Sequence, residues 1–209
     1  MDKSKVFFKD KKTVYISKDA VLGVNVKIGL NSIIRGKTII GDNVTIGDFV
    51  KIEDSQVFSN SEIKDYSILA SSKVGKHSFV GPYARLRDKS EIGDDCQIGN
   101  FVEIKNSSLS DNTRVNHMAF IGDAKIGLNV TIGAGVIFCN HNGKEINSIT
   151  IEDNAYIGSN SSLVAPLIIK KNAIIGAGST IINDVPEENL AIARSKQKNL
   201  ERKKSKNLK

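Results

Sequence analysis

Branched aliphatic residues return along this chain at every sixth position. Leu22, Ile28, Ile34, Ile40, Ile46 and Ile52 keep the interval without error, often followed by Gly and, four places on, by Val, Ser or Thr. The run from Gln56 to Asn60 reads as irregular, after which the beat resumes at Ile63 and Leu69 and passes through Val74, Val80, Leu86, Ile92, Ile98 and Ile104. Five-residue steps at 69 to 74, 104 to 109 and 121 to 126 each trim one turn. The central stretch from Val115 to Asn142 carries the beat at Val115, Ile121, Ile126, Ile132 and Phe138, and Asn116, His117, Asp123, Cys139 and Asn140 stand there as candidates for chemistry. The last block is Ile151, Ile157, Leu163, Ile169, Ile175 and Ile181. A repeat this regular decides the fold class before any single-residue argument.

An α-helix cannot use a period of six, because 100° per residue scatters the apolar positions around the whole cylinder. A coil of three short strands per turn can. Each strand turns its aliphatic inward, a small residue two places before the next beat fits a tight corner, and Gly permits unusual backbone angles or close approach. Eighteen residues make one coil, and successive coils pair as parallel strands about 4.8 Å apart. The expected fold is all-β, and the stack resembles the hexapeptide-repeat left-handed parallel β-helix, its hand coming from that resemblance alone. The expected layout has four parts. Residues 1–20 form an N-terminal cap segment with one strand-like run, Thr13 to Ser17, and residues 21–185 form the coil. A loop is extruded at 140–148 (NHNGKEINS), and residues 186–209 form an arm and basic tail. Pro186 is expected to end the coil, with Glu187 to Arg194 a short helix or an extended arm. Uncapped coils expose strand edges, so both terminal segments are expected as covers.

Charge changes this picture little. The formal net charge is +7, and the stretch from Arg194 onward supplies all of it, with eight basic residues against one acid; the remaining 193 residues balance at 22 against 22. The high pI therefore describes a tail, not a face that reads nucleic acid. Two cysteines far apart, Cys96 and Cys139, suit a reduced compartment better than a disulfide framework. MDKSKVFFKD lacks the apolar core of a signal peptide, and no apolar run reaches membrane-spanning length. The expectation is a cytoplasmic protein with neither a membrane nor a nucleic-acid partner.

Spacing places some chemistry. Arg87 and Lys105 lie eighteen residues apart, each directly after an inward aliphatic, so they should share one outward column. Two such cations repel unless an anion lies between them, which suits a phosphate; two solvated turn residues are the plain alternative. His117 follows the inward Val115 by two and should stand at an outward corner, where an imidazole of ordinary pKa can act as a general base. His77 and His141 carry no such context. A three-histidine zinc site is not expected, since Gly122 stands five residues after His117. Cys139 has no evident base beside it and reads as a structural thiol.

Five blocks then carry a family likeness: VGPYARLR (80–87), GNFVEIKNSSL (99–109), NHMAFIGDAKIG (116–127), IGAGVIFCN (132–140) and ENLAIAR (188–194). With VYISKDAVLG near the start, they resemble the C-terminal, glucosamine-1-phosphate N-acetyltransferase half of the bifunctional GlmU family. The resemblance implies an acetyl-CoA-dependent acetyltransferase of UDP-N-acetylglucosamine biosynthesis, serving peptidoglycan and cell-wall formation, and a homotrimer with sites between coils. It makes His117 the general base and Arg87 and Lys105 the sugar-phosphate ligands. Phe120, Thr131 and Asn140 fall at acceptor positions, and Ala134, Ser159, Ala177 and Arg194 at positions that line acetyl-CoA. No metal is implied. The family's uridyltransferase domain has no counterpart in these residues, and whether a separate uridyltransferase is a partner is left open by the sequence. Four positions depart from the family pattern: Phe120 and His141 stand where Tyr is usual, Thr131 where Asn is usual, and Ile146 where a loop Lys is usual, with Lys144 nearby. These departures leave a different amino sugar, or a non-catalytic sugar-nucleotide-binding β-helix, as alternatives.

Overall fold

The computed structural model describes residues 6–200, so residues 1–5 and the 201–209 end of the basic tail lie outside the described residues. Strands of two to four residues assemble into three parallel sheets of eleven, ten and nine strands, here called A, B and C. The chain visits A, B and C in rotation, and each strand pairs with its counterparts one coil before and after, giving a left-handed parallel β-helix. The register sets beat upon beat, as in Ile28↔Ile46, Ile46↔Ile63 and Ile63↔Val80 of sheet A. A second column, in sheet B, runs through Ile34, Ile52, Leu69, Leu86, Ile104 and Ile121, all at 0% exposure.

The positions before each beat explain the corners. Two places earlier stands a small buried residue such as Ser32, Ser61 or Ser78, whose hydroxyl is satisfied across the coil. Ser32 Oγ donates to the Gly47 carbonyl at 2.8 Å and Ser78 Oγ to that of Gly93 at 2.9 Å. Three places earlier the backbone enters the left-handed region, at Asn25 (φ 59°), Asn43 (φ 58°) and Asn60 (φ 64°), where Asn is tolerated better than most residues. Their amides form a ladder, Asn25 to Asn43 at 3.2 Å and Asn43 to Asn60 at 3.1 Å, which ends on the His77 ring at 3.2 Å. His77 is thereby a corner residue.

At the corner between sheets A and B, the same left-handed position holds Phe49, Tyr66, Tyr83 and Phe101. Their rings stack at centroid distances of 5.0, 4.8 and 5.4 Å while remaining 44% to 58% exposed. One such pair contributes about 0.5–1.5 kcal/mol, the same size as the roughly 1–2 kcal/mol cost of a left-handed non-glycine residue. The stack therefore offsets the strain of the corner it decorates.

The structure differs from the sequence reading in three places. Gln56–Val57 is a strand of sheet C with Val57 1% exposed, so the beat crosses the stretch read as irregular on a five-residue step from Ile52. Asp54, at φ 45°, and the buried Ser55 close that corner with one residue fewer. The coil also begins before residue 21: Phe7–Phe8 pairs with Lys27–Ile28 and Tyr15–Ile16 with Ile33–Ile34, joined through a 3-10 turn at Lys11–Thr13 that Asp10 caps. Of the two alternatives for Glu187 to Arg194, the extended one is found, and it docks: Leu190–Ala191 adds a strand to sheet A beside Ile174–Ile175. Both terminal segments thus extend the coil they were expected to cover. The loop after Cys139 returns at Ile149, closed by an antiparallel bridge between His141 and Ile146. Cys96 is buried inside the coil, and burial pushes its thiol up to about 11, so it stays protonated at neutral pH.

Candidate functional site

Sheet B presents a continuous outer face. Along its strands Arg85–Arg87, Glu103–Lys105, Phe120–Gly122 and Ile137–Cys139 the middle residue points inward and the outer two face out. Arg87 pairs in register with Lys105, as the spacing of eighteen requires. Each cation already has acidic company. Arg87 Nε donates to Glu103 Oε1 at 2.7 Å and its Nη1 to Asp88 Oδ2 at 2.6 Å, while Lys105 Nζ lies 3.8 Å from Asp123 Oδ2. The hydrogen bond that Arg87 donates to Glu103, more than anything else, raises the guanidinium above its ordinary pKa. An anion arriving here must share or displace these carboxylates.

His117 closes the strand Arg114–His117 of sheet A and stands exposed at the A–B corner. This strand and its neighbour Gln97–Asn100 each run to four residues, and the added contact is Asn100 opposite His117. Gly99 makes that approach feasible, because a Cβ there would lie 1.9 Å from the Asn116 carbonyl oxygen. His117 Nδ1 lies 2.9 Å from Asn100 Oδ1. An amide oxygen only accepts, so Nδ1 is the donor and Nε2 keeps its lone pair toward solvent. Sequence reading passed over Asn100; its signal was a polar residue one seventeen-residue coil before the histidine, directly after a glycine.

Toward the C-terminal end, the same corner is stripped of bulk. Residues 133–135, 158–160 and 176–178 read GAG, GSN and GAG. Backbone contacts stack them over His117: Gly135 N to His117 O at 3.2 Å, Asn160 N to Ala134 O at 2.7 Å, and Gly178 N to Ser159 O at 2.8 Å. Ala134, Ser159 and Ala177 therefore continue the edge that His117 begins. Arg194 joins them, its Nη1 donating to the Ala177 carbonyl at 3.0 Å. Met118 holds the left-handed corner position beside His117, and in the opposite direction the corner carries the ring stack from Phe101 to Phe49.

Phe120 and Asn140 meet over Gly122, where a Cβ would come 2.5 Å from Asn140 Nδ2 and 2.9 Å from Phe120 Cζ. That Cζ is the atom that would carry the hydroxyl of a Tyr. Thr131 is not brought to this face, since it pairs with Arg114 and Tyr156 on the outside of sheet A. His141 accepts from Gly143 N at 3.1 Å and shapes the loop, whose Lys144 and Ile146 are exposed. A groove of about 610 Å³ lies under this loop on the sheet C side, lined by Asp123, Lys125, Ile146 and Ser148 among others, and does not include His117. Among the described residues no group of three His, Cys, Asp or Glu is placed to hold a metal ion, and no helix is long and apolar enough to cross a membrane.

Residues 11–96 match the family described as GMPPB C-terminal domain, and residues 148–183 match bacterial transferase hexapeptide (six repeats). Both matched stretches lie within the β-helix, and neither spans half of the chain. The bifunctional protein GlmU of Thermosipho melanesiensis is 54% identical over 101 residues, 48% of this chain and 22% of that protein. GlmU of Thermodesulfovibrio yellowstonii is 49% identical over 100 residues, with the same two shares of 48% and 22%. The likeness to GlmU suggested by the motifs is thus found, and the chain spans about a fifth of the length of these relatives. Among solved structures, the UDP-N-acetylglucosamine acyltransferase of Francisella novicida superposes with a TM-score of 0.62 at 17% identity, over 90% of this chain and 67% of that one. LpxA of Acinetobacter baumannii gives 0.52 at 20% identity, over 90% and 71%. At these identities the two structures share the fold.

Proposed function

We propose that this protein is an acetyl-CoA-dependent N-acetyltransferase acting on glucosamine-1-phosphate or a closely related phosphorylated amino sugar. The observation that carries the reading is His117 with Nε2 free, standing where a bare edge meets a face bearing Arg87 and Lys105. The amine nitrogen attacks the thioester carbon while Nε2 of His117 takes its proton. The new C–N bond replaces the C–S bond, and CoA leaves as a thiolate that regains a proton. No covalent enzyme intermediate is involved, and Cys139 has no part. Arg87 and Lys105 hold the sugar phosphate, with Arg87 exchanging a carboxylate partner for it. Phe120 and Asn140 contact the sugar. Ala134, Ser159 and Ala177 give the pantetheine arm an unobstructed path, and Arg194 meets the CoA phosphates.

The functional unit in this reading is a homotrimer. Thr131 belongs to the acceptor set yet lies on sheet A, so a neighbouring copy that lays its sheet A against this sheet B supplies it. The setting is cytoplasmic synthesis of UDP-N-acetylglucosamine for peptidoglycan and the cell wall. A second reading, a β-helix that binds sugar nucleotides without turnover, draws on the missing hydroxyl at Phe120 and the carboxylates already held by Arg87 and Lys105.

Thiol release from acetyl-CoA, followed with glucosamine-1-phosphate, glucosamine-6-phosphate and unphosphorylated glucosamine, decides between them. The expected result is release that depends on a phosphorylated amino sugar, from a species that sediments as three chains. Calorimetric binding with no release from any acceptor would favour the second reading.

A further inference from the structure

Side chains from three other positions meet at Asp123, whose own side chain is only 10% exposed. Asp123 Oδ1 accepts from Asn106 Nδ2 at 2.6 Å, and Oδ2 accepts from Asn140 Nδ2 at 2.5 Å, with Lys105 Nζ 3.8 Å from Oδ2. Asp123 adopts φ 53°, and the preceding Gly122 leaves the space through which the Asn140 amide reaches it. An ionised carboxylate only accepts hydrogen bonds, so it fixes which way round the Asn140 amide sits. Nδ2 faces Asp123 and Oδ1 faces away. No protein donor reaches that oxygen among the described residues. Nor is it sealed in, because Arg35 Nε is the one buried side-chain polar atom there without a partner.

We infer that Asp123 is a positioning residue of the candidate site: it holds Asn140 with its carbonyl oxygen presented beside Phe120 and Lys105, so that the site selects a ligand donating an N–H or O–H at that point. This rests on the transfer reaction proposed above. An acceptor amine, or a sugar hydroxyl next to it, has that chemistry. The hydrogen bond would orient the nitrogen while the cationic end of the face takes the phosphate.

Asp123→Asn is nearly isosteric and tests the inference. Asn106 and Asn140 both donate to residue 123, and an amide there accepts through only one of its two ends. Either Asn106 or Asn140 must then turn over, so the Asn140 amide is no longer held in a single orientation by a group that only accepts. The expected result is a fall of about tenfold to a hundredfold in kcat/KM for the amino sugar, with KM for acetyl-CoA unchanged. In the double variant D123N/N140D the carboxylate at 140 accepts from the new amide with one oxygen and offers the other outward, and most of the loss is recovered. An unchanged D123N, or a double variant no better than the single one, overturns the inference. A readout independent of turnover is exchange of the Asn140 side-chain amide protons, followed by NMR. Slow exchange that D123N abolishes supports the positioning role even where no acceptor is turned over; fast exchange in the wild type overturns it even in an active enzyme.

Discussion

His117→Ala is expected to lower the rate of CoA release by about a hundredfold to ten-thousandfold, with the melting temperature nearly unchanged. The imidazole stands exposed and, among the described residues, its one side-chain hydrogen bond is with Asn100, so little packing is lost with it. What disappears is the Nε2 lone pair at the point where edge and face converge. Without it the proton of the attacking amine has no acceptor on the protein at that point. Thiol release by the two proteins checks this, and equal rates would remove His117 from the chemistry.

Gly99→Ala is expected to be the most damaging single methyl group in the region. Its Cβ would come 1.9 Å from the Asn116 carbonyl oxygen, 2.5 Å from the carbonyl carbon and 2.8 Å from Cα, all backbone atoms with no rotamer through which to retreat. The coil carrying His117 has to move by an ångström or more. A loss of about 3 kcal/mol is the natural scale for such overpacking, or about 6–12 °C in melting temperature for a chain of this size. Activity should fall as well, because the displaced segment carries the histidine and the contact of Asn100 with it. Calorimetry on Gly99→Ala beside Gly176→Ala makes the comparison, since a Cβ at Gly176 comes nearest to Ile192 Cγ1 at 2.9 Å, an atom of an exposed side chain and not of the backbone. Similar melting of the two variants would mean that the close approach at Gly99 is not what fixes this coil.

The architecture was legible because an inward aliphatic at fixed spacing reports the coil directly, and the column of Arg87 and Lys105 followed from counting eighteen. The stretch around Gln56 to Asn60 was not, since a five-residue step displaces Val57 from where the count expects it. The ends were misjudged for a related reason: Phe7–Phe8, Tyr15–Ile16 and Leu190–Ala191 belong to coils with no further coil to bury them, so their aliphatics lack the regular setting that marks the interior. In the site, the histidine and the cations could be counted into place. Glu103 and Asp123 could not, because they act through side-chain reach between coils, which spacing does not encode; Asn100, one coil before His117 and in register with it, could have been counted and was passed over. That Thr131 lies on another face was implicit in the threefold rotation of strands, since it falls one place before a sheet A beat.

The contrast between the two halves of the A–B corner gives the molecule a sense of direction. An elongated thioester laid along this edge can extend only toward the C-terminal end, because on the other side of His117 the rings stand in its path. From His117 to Ala177 is three coil spacings, about 14 Å at 4.8 Å each. In the proposed reaction the edge would gauge length: a donor with too short an arm could not keep its anionic end at Arg194 and still bring its carbonyl carbon to the amine beside the imidazole.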